Sequence, residues 1–340
     1  MEDIQDDFIT YKFLRNRIVG LVGVSIKEGQ DLDGPELAPQ YIREAGLFEV
    51  IKSLGWSYED YGDIKEPLKN EENIKNEILE DKNKYKYHDM RNALELGKYN
   101  RKLYETTKEM SKKGQFALTL GGDHGLASGS ISGLKETYPD LKVIWIDAHA
   151  DCNTPETSSS GNYHGMPVAH LLGWMGVKTV PGFDWFSPCL TNKDIVFIGL
   201  RDIDPEEKKN LKKYGIKCFT MHDVLRLGIG EVMKQTLSYL SQDGENHPLH
   251  VSFDIDGCDP SIAYGTGTKS RGGIQYREAH YILREAAATE RLVGMDMVEI
   301  NPLLDIPNEH FHGDNKHIRG TQTVAFGISL IASTLGDYLL

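Results

Sequence analysis

Short apolar runs alternate with longer segments of helical periodicity along most of the chain. The apolar runs, rich in β-branched and aromatic residues, begin near residues 17, 116, 142, 194, 216, 248 and 292. A long helical pattern covers residues 87–113, and amphipathic segments separate the later runs. Because strands that alternate with helices form βαβ units, the pattern predicts an α/β fold with a mainly parallel open sheet and helices on both faces.

Nothing in the pattern divides the chain. The 340 residues contain no internal repeat and no Pro- or Ser-rich linker, so we expect one domain over residues 1–340. Within it, residues 1–16 are predicted to be an N-terminal extension, and residues 65–86, dominated by Lys, Glu, Asp and Asn, a charged surface insertion. The most apolar stretch, residues 323–336, is shorter than the ~18 uncharged residues of a membrane span and predicts a buried helix.

Charge and cysteine content narrow the function classes. Lys and Arg number 38 against 51 Asp and Glu, a formal net charge of −13, and no basic stripe is present. Nucleic acid and anionic membranes are therefore poor partners. The cysteines at 152, 189, 218 and 258 form no CxxC pair, so we expect no disulfide. Because the acidic N-terminus lacks the apolar core of a signal peptide, a cytoplasmic protein is expected.

Polar residues follow the apolar run of residues 141–146 at alternate positions. Asp147, His149 and Asp151 come directly after it, and side chains two apart share one face of an extended chain. Two carboxylates and an imidazole would then converge on one point, which is unfavourable unless a cation or an array of hydrogen-bond donors compensates them. The spacing therefore predicts a ligand cluster at the end of a strand.

Two further segments offer the same ligand types at strand ends. Asp254 and Asp256 alternate at the end of the run near residue 248, and His124 follows a Gly-Gly-Asp turn. Each motif alone is weak, because aspartates commonly cap strands and turns. Together, four carboxylates would be neutralised by two divalent ions that share ligands and activate one water between them. The predicted metal ligands are His124, Asp147, His149, Asp151, Asp254 and Asp256.

The ligand types also bear on the identity of the metal. Structural zinc sites favour cysteine, and Cys152 and Cys258, which flank ligands, are not counted among them. Carboxylate oxygen and imidazole nitrogen together suit Mn²⁺ best. We therefore expect two Mn²⁺ ions per subunit, with iron, cobalt or nickel as possible substitutes.

At these motifs the sequence resembles the ureohydrolase family, and the arginases most closely. The resemblance rests on GGDH at 121–124, DAHAD at 147–151, SGNYHG at 160–165 and SFDIDG at 252–257, and extends from about residue 17 to near the C-terminus. It implies an arginase-like three-layer α/β/α fold and hydrolysis of L-arginine to L-ornithine and urea, with a metal-bridging hydroxide as nucleophile. It also implies a homo-oligomer, a trimer or a dimer of trimers.

The resemblance assigns roles beyond metal binding. Asp151 would also orient the nucleophile, His164 would pass a proton to the leaving amine, and Glu299 would hold the guanidinium. From the residues alone, Glu299 could be a surface charge and His164 a hydrogen-bonded loop histidine. The implied substrate-binding residues are Asn153, Ser158 and Ser160 for the α-carboxylate, Asp204 and Glu207 for the amino group, and Thr268.

Two other functions stay open. A sister ureohydrolase would act on agmatine or another guanidino compound and would not need the hydroxyl-rich loop of residues 153–160. A catalytically silent metal-binding protein would have lost a ligand, Glu299 or His164, and none is missing here. One departure from the family pattern concerns affinity: Lys269 and Arg271 replace uncharged residues, and would weaken binding of a cationic substrate if they faced its pocket.

Overall fold

One sheet of eight parallel strands lies at the centre of the fold. The computed structural model describes residues 9–65, 90–176, 180–307 and 320–337. The strands are β1 Ile18–Val24, β2 Ser57–Ile64, β3 Phe116–Gly121, β4 Lys142–Ile146, β5 Ile195–Leu200, β6 Lys217–Thr220, β7 Leu249–Asp254 and β8 Leu292–Val298. In this part of the chain their order is β2-β1-β3-β8-β7-β4-β5-β6, and every neighbouring pair is parallel. The predicted parallel sheet is confirmed.

Helices cover both faces of this sheet, as predicted. They are α1 Ala38–Ile42, α2 Phe48–Ser53, α3 Ala93–Lys113, α4 Ala127–Lys135, α5 Pro167–Leu171, α6 Pro205–Lys213, α7 Met221–Leu227, α8 Ile229–Tyr239, α9 Tyr276–Ala288 and α10 Gln322–Thr334. Successive residues of a strand point to opposite faces. Ile144 of β4 accordingly packs in the core under α9 and α10, whereas Trp145 packs in the core under α3 and α4. The result is a three-layer α/β/α arrangement.

Two elements differ from the sequence predictions. The edge strand β2 was not predicted, because most of its residues are polar, seven of the eight are exposed or half-buried, and only Ile64 is buried. Its pairing with β1 uses the backbone, which leaves little trace in a side-chain pattern. The helix predicted over residues 87–113 begins at Ala93 instead. Asn92 takes a left-handed conformation (φ 51°), and its side-chain amide donates to Glu28 O at 2.8 Å.

Some predicted segments lie wholly or partly outside the described residues. The charged insertion of residues 65–86 is described only at its first residue, and residues 1–8 of the N-terminal extension are likewise outside. The described part of the extension is anchored, since Tyr11 is buried and its hydroxyl donates to Thr334 O at 2.5 Å. The predicted buried helix near the C-terminus is confirmed as α10. In the described ranges, no helix combines the length and apolarity of a membrane span.

The sheet order places the predicted ligand segments side by side. The consecutive strands β3, β8, β7, β4 and β5 all end at the same edge because they are parallel. Gly122 allows the turn after β3, since a Cβ there would lie 2.2 Å from Ile26 O of the loop after β1. Polar side chains that follow these strands therefore meet at one edge, where open α/β sheets bind their ligands.

Candidate metal centre

The six predicted ligands come together in two overlapping groups at this edge. His124, Asp147, Asp151 and Asp254 form one group, and Asp147, His149 and Asp256 form the other. Within each group one donor atom from every residue lies within 4.8 Å of the others, and all but the half-buried His149 are buried. Asp147 belongs to both groups, and so could bridge two metal ions.

The first group has the chemistry of a cation site. His124 Nδ1 is 3.2 Å from Asp147 Oδ2, 3.2 Å from Asp151 Oδ2 and 3.3 Å from Asp254 Oδ2. This nitrogen is fully buried, yet it forms no well-aligned hydrogen bond with any described residue. An imidazole nitrogen surrounded by three carboxylate oxygens suits a divalent ion that accepts lone pairs from all four.

Neighbouring side chains hold these ligands in place. His124 Nε2 is 2.9 Å from Ser252 Oγ, which leaves Nδ1 for the metal site. Trp145 Nε1 donates to Asp147 Oδ2 at 3.0 Å, and its indole stacks on the His124 ring with centroids 4.0 Å apart. The ligand orientations are therefore set by residues that do not themselves offer metal-binding atoms.

The three ligands after β4 do not converge in the way that alternation along a strand predicts. The strand ends at Ile146, and the chain beyond it is irregular. The backbone N–H of His149 donates to Asp147 Oδ1 at 2.7 Å, and Asp151 has a left-handed conformation with φ 47°. Such a conformation is strained for a non-glycine residue. A local turn, rather than an extended face, brings the carboxylates together.

The protonation of the cluster reflects crowded negative charge. Burial and the adjacent Asp256 raise the pKa of Asp254 well above its usual value. Burial and Asp147 raise the pKa of Asp151 to about 7. Burial disfavours the charged imidazole of His124, but the surrounding carboxylates outweigh it and raise its pKa well above normal. Divalent cations would compensate these aspartates and displace the protons from the histidines.

His164 and Glu299 lie beside the first group and contact one another. Glu299 follows β8 in a left-handed conformation (φ 61°) and is 2 % exposed. Its Oε1 accepts from the backbone N–H of His124 at 2.9 Å and from His164 Nδ1 at 3.1 Å. Burial lowers the pKa of His164, but this bond to Glu299 and the nearby charges of Glu299, Asp151 and Asp123 together outweigh it and raise the pKa to about 9. Glu299 is thus a buried carboxylate and not a surface charge.

A cavity of about 180 Å³ opens onto the two groups. One end is formed by ligands of the metal groups, and the other by the loop of residues 153–160 and the start of α6. Glu299, His124 and Asp147 are not among the lining residues. The predicted site residues in the lining are His149, Asp151, Asn153, Ser158, Ser160, His164, Asp204, Glu207, Asp254, Asp256 and Thr268.

The polar residues at the far end of the cavity are partly engaged with one another. Asn153 Nδ2 donates to Asp204 Oδ2 at 3.0 Å, which leaves one amide hydrogen free for a ligand. Ser158 Oγ accepts from the N–H of Gly161 at 3.0 Å, and Ser160 Oγ accepts from that of Asn162 at 3.2 Å. The two hydroxyl oxygens lie 3.4 Å apart, so one hydroxyl can donate to the other. At least one hydroxyl hydrogen remains available, so this end of the cavity can donate to an anionic group.

Glu207 and Thr268 have structural partners within the cavity wall. Glu207 Oε1 accepts from the N–H of Cys152 at 3.0 Å, and Oε2 accepts from that of Asp204 at 3.0 Å. Burial raises the pKa of this carboxyl group. Thr268 Oγ1 donates to Asp256 Oδ2 at 2.6 Å. Thr268 therefore contacts a candidate metal ligand, and Glu207 joins the ligand loop to α6.

Comparison with known proteins identifies the family. Residues 17–336 match the model of the arginase family. The chain is 42% identical over 351 residues to the arginase of Plasmodium berghei (strain Anka), covering 99% of each protein. It is 45% identical over 292 residues to Arginase-1 of Homo sapiens, covering 85% of this chain and 87% of the human one.

The chain belongs to the arginase family.

Solved structures of arginases agree with this assignment. The crystal structure of arginase from Bacillus subtilis aligns with a TM-score of 0.78 at 34% identity, over 95% of this chain and 100% of the other. A crystal structure of Entamoeba histolytica arginase in complex with L-ornithine aligns with a TM-score of 0.78 at 29% identity, over 96% and 100% of the two chains. The family and the α/β/α fold that the sequence motifs predicted are confirmed.

The basic residues that depart from the arginase pattern do not line the cavity. Lys269 Nζ donates to Thr266 O at 2.6 Å and lies 4.6 Å from the centroid of the Tyr264 ring. Arg271 is exposed, and neither side chain belongs to the cavity lining. The structure thus gives no support to electrostatic repulsion of a cationic substrate by direct contact with these two residues.

Several residues that shape the site were not predicted from the sequence. Trp145 is indistinguishable from other apolar residues of β4, and Ser252 is one small residue inside a buried strand. Asp202 lines the cavity, with Oδ2 3.9 Å from His149 Nε2. Asp123, in the Gly-Gly-Asp-His motif, is buried and accepts from the N–H of Gly29 at 2.9 Å. The available signal for Ser252 was a polar residue between two buried apolar residues, Val251 and Phe253.

Proposed function

We propose that this arginase-family protein hydrolyses the guanidinium group of L-arginine to give L-ornithine and urea. The observation that carries the proposal is the pair of ligand groups that share Asp147 at one end of a cavity whose other end offers hydroxyl and amide donors. The L-ornithine in the Entamoeba histolytica arginase crystal supports the same class of ligand here. The residues that would hold two metal ions are His124, Asp147, His149, Asp151, Asp254 and Asp256.

The protein's task is to orient an unreactive substrate. A guanidinium carbon is a poor electrophile because its positive charge is delocalised. Two divalent ions, when bound, lower the pKa of water so that a nucleophile is available near neutral pH. Asp151 lines the cavity and would accept a hydrogen bond from the attacking water. The buried carboxylate of Glu299 would attract the guanidinium and fix its plane.

His164 would supply the proton that the leaving amine needs. Its Nδ1 donates to Glu299, so Nε2 is the nitrogen left to face substrate. Because the pKa of His164 is raised to about 9, the ring is protonated at neutral pH and can donate from Nε2. Glu299 thus contacts the proton donor and, in this proposal, attracts the substrate guanidinium from its buried position.

The amino acid end of the substrate would bind at the far end of the cavity. Asn153, Ser158 and Ser160 have hydrogens available for the α-carboxylate. Asp204 would accept from the α-ammonium, and Glu207 would hold Asp204 in place through its backbone N–H. Thr268 would act through Asp256, because its hydroxyl donates to that carboxylate. A substrate that lacks the α-carboxylate, such as agmatine, would use fewer of these groups.

We further propose Mn²⁺ as the native metal, a homotrimer as the assembly and the cytoplasm as the location. Carboxylate and imidazole ligands support Mn²⁺, with iron, cobalt or nickel as substitutes. The trimer rests on likeness to arginases, and light scattering that gives a monomer mass would exclude it. The four cysteines are all free, which suits a reducing compartment. Cell fractionation would test the location.

Product analysis tests the proposed reaction. The protein, incubated with Mn²⁺ and then given L-arginine, should release urea and L-ornithine in equal amounts. The Asp254→Asn variant is the matched negative control, because it removes one carboxylate charge from the first group with little change in size. Absence of urea with Mn²⁺, Co²⁺, Ni²⁺ and Fe²⁺ in turn would exclude arginine hydrolysis.

A further inference from the structure

One guanidinium joins two loops of the metal centre. Arg201 directly follows β5, a strand that supplies none of the six candidate ligands. It donates to five backbone carbonyl oxygens. The shortest bonds, both from Nη2 at 2.7 Å, go to Asp256 O and Ser270 O. The others are to Gly199 O, Gly257 O and Cys258 O, at 3.0 to 3.1 Å.

The two loops that Arg201 joins both bear on Asp256. The first is the short helical turn Ile255–Gly257, which presents the Asp256 carboxylate to the second ligand group. The second carries Ser270 and Thr268, and Thr268 donates its hydroxyl to Asp256 Oδ2. Arg201 therefore holds Asp256 in two ways. It binds the backbone carbonyl of Asp256 directly, and it binds the loop whose Thr268 contacts the Asp256 side chain.

The chemistry of these contacts requires arginine. A guanidinium offers five N–H donors in a planar fork, so one side chain can satisfy carbonyls from two loops at once. The loops approach it closely, since a Cβ on Gly273 would lie 2.6 Å from Arg201 Nη2. A lysine would keep the positive charge, but its single ammonium could not reach all of these oxygens.

The end of β5 also supports the rest of the second group. The backbone N–H groups of Arg201 and Asp202 both donate to Ala148 O, at 2.9 and 3.0 Å, between Asp147 and His149. The first group shares Asp147, and its Asp254 accepts from the N–H of Asp256 at 2.8 Å, but its His124 is held by Ser252 of β7 and by Glu299 after β8. Arg201 therefore supports the second group more directly than the first.

We propose that Arg201 is a positioning residue that sets the metal affinity of the Asp147, His149 and Asp256 group. It is neither a candidate ligand nor a lining residue of the cavity, and it would act by holding Asp256 in the second ligand group. Residues that orient metal ligands typically change metal affinity 10–100-fold when they are replaced. The inference rests on the proposed function only in that both require two metal ions.

Metal binding to Arg201→Gln and Arg201→Lys tests the proposal. Calorimetric titration with Mn²⁺ and metal analysis after dialysis should show two ions bound by the unmodified protein. In Arg201→Gln we expect the affinity for the second ion to fall about 10–100-fold and the affinity for the first ion to fall much less. Arg201→Lys should lower the affinity for the second ion less than Arg201→Gln does. The control is Arg226→Gln, which alters an exposed arginine paired with Asp223 and should bind both ions normally.

The outcomes are distinct. Two ions bound to Arg201→Gln with the original affinities would overturn the proposal, and so would an equal weakening of both ions in a variant with an unchanged unfolding temperature. If Arg201→Gln does not fold, Arg201→Lys decides by the same criteria. Metal binding is measured without substrate, so a protein that binds two ions but releases no urea would contradict the proposed function and leave the role of Arg201 standing. An unmodified protein that binds fewer than two ions would overturn both.

Discussion

Replacing Ser160 by alanine should weaken the hydrolysis of L-arginine and leave that of agmatine unchanged. The two substrates differ only in the α-carboxylate. Ser160 Oγ accepts from the N–H of Asn162, and its own hydrogen can be donated to that carboxylate in place of Ser158 Oγ, which lies 3.4 Å away. A hydrogen bond to a charged group contributes roughly 1.5–3 kcal/mol, and ~1.4 kcal/mol corresponds to a tenfold change. Because Ser160 is exposed and water competes for the same bond, we expect the lower limit, a fall of about tenfold in kcat/KM.

The unmodified protein should prefer L-arginine over agmatine by on the order of a hundredfold, since two such bonds contribute together. The assay is urea release from each substrate over a range of concentrations at saturating Mn²⁺. The matched control is Ser238→Ala, an exposed serine on α8. An equal fall in kcat/KM for both substrates would refute the reasoning, because it would locate the effect at the metal centre and not at the carboxylate. Equal rates for the two substrates in the unmodified protein would exclude a carboxylate-binding role for the loop altogether.

Three other predictions concern metal, pH and stability. Asp256→Ala should lower the Mn²⁺ content and urea release together, and full metal occupancy with undiminished turnover would show that Asp256 is not a ligand. At saturating metal, kcat/KM should rise from pH 6 as the water whose pKa the two ions would lower is deprotonated, and fall above about pH 9 as His164 loses its proton; a profile flat from pH 6 to 9 would contradict this. Burial lowers the pKa of His170 to about 3 in the folded protein, whereas an unfolded histidine has a pKa of about 6.5. Below about pH 6.5 the unfolded chain therefore binds one more proton than the folded protein, and the free energy of unfolding decreases as the pH falls. In chelator, the free energy of unfolding should drop by about 2 kcal/mol more between pH 7 and 5 in the unmodified protein than in His170→Gln, and equal drops in the two proteins would show that His170 is not the cause.

The sequence predicted those parts of the fold that depend on side-chain pattern. The apolar runs before His124, Asp147 and Asp256 are buried on both faces, so their composition indicated strands of a parallel sheet. Parallel strands place their carboxyl ends at one edge of the sheet. The convergence of the six candidate ligands could therefore be predicted before the strand order was known. The edge strand β2 was not predicted because most of its residues are polar and only one is buried, so its side chains show no apolar run.

The supporting residues of the site could not be predicted in the same way. Arg201 donates to carbonyl oxygens of residues as far apart in the sequence as Gly199 and Ser270. Such contacts depend on loop geometry that no local sequence pattern encodes. The left-handed conformations of Asp151 and Glu299 are equally non-local, since each residue type prefers other backbone angles. Ligand types follow from composition and spacing, whereas ligand orientation follows from tertiary packing.

Titration of the chelator-treated protein with Mn²⁺, with urea release from L-arginine measured at each addition, tests the central claim most directly. The two ligand groups share Asp147, and turnover is proposed to need both. We therefore expect urea release to rise until two equivalents of Mn²⁺ are bound per chain and to be constant beyond that point. A protein that reaches full turnover with one equivalent, or that binds two and releases no urea, would contradict a dinuclear arginase.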